Sequence, residues 1–264
     1  MLKQRVITSI ILVLITYAVL FLVPEPVFVV IAWTLCLVGI YELSRMYKFD
    51  QINQVGLLVI ISLIAFMVYF STYNMNQLVQ IAILITWCIM VPILLIWRPK
   101  SFSKFGIGLI AALLFVPAFY ALVVLHILLG SLQLISIMAI AWVADIGAYF
   151  IGKRFGRHKL APTISPGKTI EGIIGGLVFV VIYLLILKYF GLAVYLYGYL
   201  MVFKFALILT TASILGDLME SWLKRIAKVK DSGVILPGHG GVFDRIDSLI
   251  AVLAVAFAII QGFG

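Results

Sequence analysis

The amino-acid sequence predicts an all-α, polytopic integral membrane protein with about nine transmembrane helices. Hydrophobic residues make up 65% of the 264 residues. Soluble domains contain roughly 45 to 50% apolar residues, so a single water-soluble core would not absorb this many. Nine apolar segments are each long enough to cross a hydrocarbon layer of ~30 Å, which takes ~20 residues. Lys and Arg are also concentrated in alternate connections between these segments, as in membrane proteins.

The apolar segments lie at about residues 6–23, 27–43, 55–73, 78–97, 107–129, 132–151, 173–190, 194–216 and 247–263. The first five carry no chemical motif, so we predict an N-terminal membrane scaffold over residues 1–130. Polar side chains concentrate in residues 131–264, where we predict the catalytic membrane region, with cytoplasmic loops 152–172 and 217–247. The turn at residues 24–26 is short enough for the first two segments to form a re-entrant pair instead.

The basic residues predict the orientation in the membrane. Seventeen of the nineteen Lys and Arg residues lie in the N-terminus or in the loops after the second, fourth, sixth and eighth segments. Positive residues are retained on the cytoplasmic side of a membrane. The two exceptions, Lys188 and Lys204, flank one loop on the opposite side. We therefore predict that the N-terminus and the charged loops are cytoplasmic.

The formal net charge of +9 favours anionic partners. Neither a soluble basic domain nor an aromatic surface for stacking bases accompanies the charge, so we predict no nucleic-acid partner. Anionic lipids and nucleotide phosphates are the partners that this composition favours.

Asp145 is an acidic residue inside the sixth apolar segment, near its cytoplasmic end. An ionised carboxylate at the centre of a bilayer costs about 2.5 to 3.5 kcal/mol, and less near the interface. A polar cavity that holds a cation or a basic side chain would offset this cost. Snorkelling or a hydrogen bond from a neighbouring helix is the structural alternative.

The loop after the sixth segment has two halves. The first, residues 152–162, is basic and taken alone is better interpreted as an anchor for anionic lipid. The second contains Gly167-Lys168-Thr169, but a P-loop would need glycine where Pro162 stands and a preceding strand. What remains is Ser165, Lys168 and Thr169 at the predicted start of a helix, whose free amides suit a phosphate. Gly172 and Gly176 are spaced to let that helix pack closely against a neighbour.

The segment after the eighth span carries a polar helical stripe. Asp217, Glu220, Ser221 and Lys224 stand at i, i+3, i+4 and i+7 and therefore share one face. Asp217, next to a glycine at the membrane boundary, is predicted to bind a metal ion or substrate. Glu220 and Lys224 are equally compatible with an ordinary surface ion pair.

A glycine-rich turn and two acidic residues follow. Consecutive glycines in Pro237-Gly238-His239-Gly240-Gly241 allow backbone amides to curl around an anion, and His239 would add a donor. Asp244 and Asp247 are one helical turn apart at the start of the ninth segment, a spacing that suits hard cations. Capping of a helix start by acidic residues is the alternative.

These residues together resemble a known family signature. The run Ser221-x-Leu223-Lys224-Arg225, then Lys230-Asp231-x-Gly233 and Leu236-Pro237-x-His239-Gly240-Gly241-Val242-x-Asp244-Arg245-Ile246-Asp247, is similar to that of phosphatidate cytidylyltransferases, also called CDP-diacylglycerol synthases. Trp142-x-x-Asp145-x-Gly147-Ala148-Tyr149 and Ser165-Pro166-x-Lys168-Thr169-x-Glu171-Gly172 also resemble the family. The resemblance covers residues 141–250, which is under half of the chain.

The resemblance implies that phosphatidate attacks the α-phosphate of CTP, giving CDP-diacylglycerol and pyrophosphate in phospholipid biosynthesis. It also implies Mg²⁺, a second and monovalent cation such as K⁺, a homodimer, and a bacterial-type plasma membrane location. The residues fit this chemistry independently, because a triphosphate and a lipid phosphate brought together need metal ions and Lys or Arg.

The resemblance assigns a role to each candidate residue. The implied catalytic residues are Asp217, Asp244, Lys224 and Arg245. The implied substrate-binding residues are Ser165, Lys168, Thr169, Ser221, Arg225, Lys230, His239, Gly240 and Gly241. The implied metal ligands are Asp217 and Asp244, with Ser221 close by. Asp145, Glu220 and Asp247 are further candidates for a metal or an orienting role.

Two other functions fit parts of the pattern. A CTP-dependent lipid-alcohol (polyprenol) kinase would transfer the γ-phosphoryl group and release CDP. A transporter would also contain several spans and an intramembrane acid such as Asp145. Transport is disfavoured because the charges crowd onto the cytoplasmic loops and the interiors of most spans are bare.

Overall fold

The computed structural model describes residues 2–71, 75–236, 238 and 240–262, with side chains described for Thr8 and from residue 10 onwards. The helices are α1 (Leu2–Phe21), α2 (Glu25–Met46), α3 (Gln51–Phe70), α4 (Met75–Leu84), α5 (Val91–Trp97), α6 (Lys104–Leu129), α7 (Ser131–Phe155), α8 (Ile170–Tyr189), α9 (Gly198–Ala227) and α10 (Phe243–Gly262). A π-helical stretch, Ile85–Met90, joins α4 to α5. Strands β1 (Lys159–Ala161) and β2 (Ser165–Thr169) form an antiparallel hairpin. The predicted all-α membrane class is confirmed, with this hairpin added.

Within the described ranges, seven helical segments are long and apolar enough to cross a membrane. They are α2, α3, the joined α4–α5 segment, α6, α7, α8 and α9. The described part of α1 adds a shorter apolar stretch, Ile10–Phe21. The 20-residue α10 is buried at every position from Ser248 to Ala258, so other helices enclose it. A helix occupies most of each predicted segment, but the predicted count of nine spans is not confirmed.

Helices extend into the predicted cytoplasmic loops from their amino-terminal sides. α7 continues to Phe155 and α9 to Ala227, so the loops predicted at 152–172 and 217–247 both begin inside helices. Backbone hydrogen bonds of a helix do not depend on lipid, and the Leu, Met, Glu, Lys and Arg residues of 217–227 are strong helix formers. α9 ends where Lys228 adopts the left-handed conformation with φ 57°. The side chains of the polar stripe are therefore held on a rigid helix.

The β hairpin corrects the predicted position of the helix after the basic loop. Ser165 and Lys168 lie in β2, and α8 begins only at Ile170. Thr169 is the N-cap residue, and its hydroxyl accepts a hydrogen bond from the Gly172 amide at 3.1 Å. The strand pairing of Lys159 with Thr169 turns the basic segment back towards the start of α8.

Glycines bring α7 and α8 into close contact, as the spacing of Gly172 and Gly176 predicts. A Cβ atom on Gly172 would stand 2.9 Å from the Ala148 carbonyl oxygen, and one on Gly176 would stand 2.8 Å from the Ala144 carbonyl oxygen. No larger side chain fits between these backbones without moving them. α7 and α8 consequently form the most extensive helix pair in the described part of the chain.

Gly176→Ala is expected to lower the melting temperature of the detergent-solubilised protein. The added methyl group would force α7 and α8 apart, and overpacking of this kind costs about 1 to 3 kcal/mol. Gly56→Ala is the matched control, because nothing lies within 4 Å of a Cβ atom there and Ala favours a helix over Gly. Equal melting temperatures for the two variants would contradict the close packing of α7 and α8.

α10 occupies the centre of the bundle, between α9 and α6. Phe243, at its start, is 2% exposed and packs its ring 5.2 Å from that of Phe115 in α6. α2 also packs against α6 and reaches α10. The C-terminal ends of α2 and α9 and the N-terminal end of α10 therefore meet on one side of the bundle.

Candidate active site

A cavity of about 680 Å³ opens between α7, α8, α9 and the β hairpin. This volume falls in the range of roughly 300 to 1,000 Å³ that small-molecule sites occupy. Its charged lining comprises Asp145, Lys153, Lys159, Lys168 and Asp217. Its hydroxyl lining comprises Tyr149, Ser165, Thr169, Thr210 and Ser213. Alanine, isoleucine and glycine residues of the three helices line the rest, so the cavity combines a charged part with an apolar part.

Asp217 and Lys168 form an ion pair within this cavity. Lys168 Nζ lies 2.5 Å from Asp217 Oδ2, and the two side chains are 22% and 27% exposed. The Ser221 hydroxyl, one turn further along α9, donates to Asp217 Oδ1 at 3.1 Å. β2 and α9 thus bring together three residues that the sequence predicts for the site.

Asp145 and Asp247 belong to the same electrostatic group. Asp145 lines the cavity with Asp217 and Lys168, and the charges of all three residues act on Asp247. Gly216 makes this approach of α9 and α10 possible, because a Cβ atom there would stand 2.5 Å from the Asp247 carbonyl oxygen. The group contains more acidic than basic side chains, a balance that a bound cation would correct.

Lys224 is the centre of a second cluster, formed by α9 and α10. Its Nζ atom lies 2.6 Å from Glu220 Oε2 and 2.6 Å from Asp244 Oδ1. All three side chains are largely buried, at 15%, 1% and 6% exposure for Lys224, Glu220 and Asp244. Glu220 is therefore part of a buried network. The alternative that Glu220 and Lys224 form an ordinary surface ion pair is wrong.

Asp244 also binds the segment that precedes α10. Its Oδ2 atom accepts hydrogen bonds from the Ser232 amide at 2.8 Å, the Ser232 hydroxyl at 3.0 Å and the Gly241 amide at 2.8 Å. Gly240 has φ 82°, and its carbonyl oxygen accepts from the Leu236 amide at 2.9 Å. Asp244 thereby closes the glycine turn onto α9. The predicted donor His239 lies outside the described residues.

The β hairpin is attached to the surrounding helices by polar contacts. Glu171 accepts from the Arg157 and His158 amides, and its Oε1 atom lies 2.6 Å from His158 Nδ1. Arg225 Nε donates to the Ile164 carbonyl oxygen at 3.1 Å, and Arg98 Nη1 donates to Thr163 Oγ1 at 2.9 Å. These contacts hold the hairpin against the cavity that it lines. Arg225 is exposed and bonded to the hairpin, Lys230 is exposed in the loop after α9, and Arg245 is exposed in the first turn of α10.

The two cavity carboxylates, Asp145 and Asp217, and the nearby Asp247 match Mg²⁺ in chemistry. Asp145, Asp217 and Asp247 offer the hard oxygen ligands that Mg²⁺ prefers, with the Ser221 hydroxyl nearby. Both oxygens of Asp244 are engaged with Lys224 and with the Ser232 and Gly241 donors, and both oxygens of Asp217 are engaged with Lys168 and Ser221. Among the residues that the structure describes, no three His, Cys, Asp or Glu side chains are already gathered as a metal site. The metal ligands remain predictions.

The structure also brings residues to the site that the sequence analysis did not select. Lys153 and Lys159 line the cavity, although the basic loop is better interpreted, taken alone, as a lipid anchor. Glu42 of α2 bonds the backbone at the start of α10, although its helix lies in the predicted scaffold. An acidic residue inside an apolar segment is a signal for a functional site, and this signal applies to Glu42 as it does to Asp145.

Comparison with known proteins agrees with this geometry. The model of the cytidylyltransferase family matches residues 3–263. The chain is 36% identical to the phosphatidate cytidylyltransferase of Pseudomonas aeruginosa, over 100% of this chain and 98% of the relative. It is 32% identical to that of Bacillus subtilis, over 99% and 98%, and 34% identical to that of Haemophilus influenzae, over 96% of each. The match therefore includes the N-terminal half, beyond the signature residues. The chain belongs to the cytidylyltransferase family.

Proposed function

We propose that the protein transfers the cytidylyl group of CTP to phosphatidate, giving CDP-diacylglycerol and pyrophosphate. An oxygen of the phosphatidate phosphate attacks the α-phosphorus of CTP and forms the new P–O bond. The bond from that phosphorus to the bridging oxygen breaks, and pyrophosphate leaves with the electron pair. The relatives named phosphatidate cytidylyltransferase support this reaction.

The observation that carries the proposal is the cavity with its mixed lining. Lys153, Lys159 and Lys168 supply positive charge for phosphates, while apolar faces of α7, α8 and α9 line the remainder. A water-soluble nucleotide and a membrane lipid must both reach one site in this reaction. The charged part of the cavity suits the phosphates of the nucleotide, and the apolar part between the helices suits the lipid.

The protein's own residues would act mainly by binding and orientation, because phosphoryl chemistry needs little covalent help from side chains. Lys168, held by Asp217, would bind a phosphate at the base of the hairpin. Asp145, Asp217 and Asp247, with Ser221, would hold Mg²⁺, and we propose that Asp244 holds Lys224 in place. When bound, Mg²⁺ neutralises phosphate charge and favours attack at phosphorus.

The orientation and assembly are part of the same proposal. The basic loops support a cytoplasmic face for the cavity and for the N-terminus. The resemblance of the signature supports a homodimer and a second, monovalent cation such as K⁺. The match to bacterial relatives supports a multi-pass plasma membrane location.

Two labels on CTP test the reaction directly. With phosphatidate vesicles and Mg²⁺, we expect label on the α-phosphate to enter a CDP-lipid and label on the γ-phosphate to leave as pyrophosphate. Entry of the γ-label into a lipid alcohol would identify a kinase instead. Movement of a solute across proteoliposomes without nucleotide, with no labelled lipid, would favour a transporter. Chelation of Mg²⁺ is expected to stop the reaction, and added Mg²⁺ should restore it.

A further inference from the structure

Glu42 is a buried acidic residue in the half of the chain that carries no motif. It lies in α2, one turn before the helix ends at Met46, and is 2% exposed. A carboxylate buried in a helix bundle is costly unless hydrogen-bond donors surround it. The donors around Glu42 therefore indicate what it does.

The Glu42 carboxylate accepts hydrogen bonds from the segment between α9 and α10 and from the first residue of α10. Oε1 accepts from the Val242 amide at 3.0 Å, and Oε2 accepts from the Phe243 amide at 2.8 Å. The Ser232 hydroxyl lies 2.9 Å from Oε2. One side chain of α2 thus holds two parts of the chain between α9 and α10. The first is the segment around Ser232, and the second is the backbone at the start of α10.

Two glycines of the signature make room for this carboxylate. A Cβ atom on Gly233 would stand 2.3 Å from Glu42 Oε1, and one on Gly241 would stand 2.5 Å from Glu42 Oε2. Side chains at these positions would displace Glu42 from its amide donors. The glycine pattern of the loop and the acid in α2 are therefore parts of one arrangement.

Ser232 connects Glu42 to the Lys224 cluster. Its hydroxyl lies 2.9 Å from Glu42 Oε2 and 3.0 Å from Asp244 Oδ2, so its single proton is shared between two carboxylates. Asp244 in turn holds Lys224 Nζ at 2.6 Å. A shift of Glu42 would pass through Ser232 and the start of α10 to the Asp244–Lys224 pair.

We infer that Glu42 is a positioning residue for cytidylyl transfer, which holds the segment 231–247 so that Asp244 can orient Lys224. The expected effect on kinetics rests on the proposed function. The contact between Glu42 and segment 231–247 does not depend on that function. Glu42 acts through the backbone and through Ser232, and it is not among the residues that line the cavity.

Glu42→Gln is the most informative variant, because it keeps the volume and removes one acceptor. The Gln oxygen can accept from one backbone amide, while its NH₂ group must face the other amide, which is also a donor. Glu42→Asp keeps two acceptors on a shorter stem and is expected to be intermediate. Glu25→Gln, an exposed residue at the other end of α2, is the matched control.

Two measurements test the inference on the full-length protein in detergent with phosphatidate. Hydrogen exchange followed by mass spectrometry should show faster exchange in segment 231–247 of Glu42→Gln, with α7 and α8 unchanged. Steady-state kinetics should show kcat reduced by about 10- to 100-fold, the loss typical when a residue that orients metal ligands is replaced, with KM for CTP little changed. Glu42→Asp should recover part of kcat, and Glu25→Gln should match the wild type.

The outcomes separate the inference from the proposed function. Unchanged exchange in segment 231–247, or an unchanged kcat in Glu42→Gln, would overturn the inference. Faster exchange throughout the protein, with a lower melting temperature and both KM values raised, would show a merely structural role and would also overturn it. If the wild type forms no CDP-lipid, the proposed function fails, and the exchange of segment 231–247 alone decides whether Glu42 holds it.

Discussion

Asp217→Asn is expected to reduce turnover by about 10²- to 10³-fold or more while leaving the protein folded, because electrostatic stabilisation of the transferring phosphate is lost. The substitution removes the negative charge that pairs with Lys168 at 2.5 Å and that would help to hold Mg²⁺. The amide can still be accommodated. Its oxygen can face Lys168, and its NH₂ group can donate to the Ser221 hydroxyl, which now lies 3.1 Å from Asp217 Oδ1.

The measurement is the rate of CDP-lipid formation, with the melting temperature recorded on the same preparation. Glu25→Gln, an acid-to-amide change at an exposed position, should retain the wild-type rate and melting temperature. A normal rate in Asp217→Asn would remove this residue from the active site. A large fall in melting temperature would assign it a structural role instead.

The fold was predictable where one physical rule dominated. A segment of about 20 apolar residues has to form a helix in a bilayer, because no water satisfies its backbone groups there. Each predicted segment accordingly contains a helix, and the glycine spacing at Gly172 and Gly176 correctly predicted close packing. The ends of the helices were less predictable. α7 and α9 continue into the predicted loops. Polar residues such as Glu, Lys and Arg are good helix formers, so the end of an apolar segment does not mark the end of its helix.

The Asp217 part of the site was predictable from helical spacing and from the signature. The interval between Asp217 and Ser221 places both on one face of α9, and the structure shows them in contact. The pairing of Lys168 with Asp217 joins segments about fifty residues apart, and no local rule connects such positions. The hairpin that carries Lys168 was also missed, since its strands are only 3 and 5 residues long.

Glu42 shows why a motif-based division of the chain is incomplete. Its partners Ser232, Val242 and Phe243 lie 190 or more residues away in sequence. The division into a scaffold over 1–130 and a catalytic region over 131–264 stays a prediction, and Glu42 joins the two halves. Its position within an apolar segment was visible in the sequence. Its backbone partners could not be predicted without knowing that α2 packs against α10.

Asp244→Asn is expected to lose both turnover and stability, in contrast to Asp217→Asn. The Asp244 carboxylate accepts from the Lys224 ammonium at Oδ1 and from two amides and a hydroxyl at Oδ2, and it also interacts with the Glu220 carboxyl group. An asparagine NH₂ group at Oδ2 would face three donors, and one at Oδ1 would face the Lys224 ammonium. Loss of one partner from a buried ion pair destabilises a protein by about 3 to 5 kcal/mol. Lys224 would be left with Glu220 alone, and the glycine turn would detach from α9.

The measurements are the rate of CDP-lipid formation and the melting temperature, compared with those of Asp50→Asn. Asp50 also pairs with a lysine at 2.6 Å, Lys104, but about half of each side chain is exposed. The Lys104 hydrogen bond holds the pKa of Asp50 well below its usual range, yet water can replace this contact, and Asn caps a helix as well as Asp does. We therefore expect Asp50→Asn to leave both measurements nearly unchanged. If Asp244→Asn instead kept its melting temperature and lost only turnover, the buried network would be dispensable for folding, and a direct metal-binding role for Asp244 would be favoured over the positioning of Lys224.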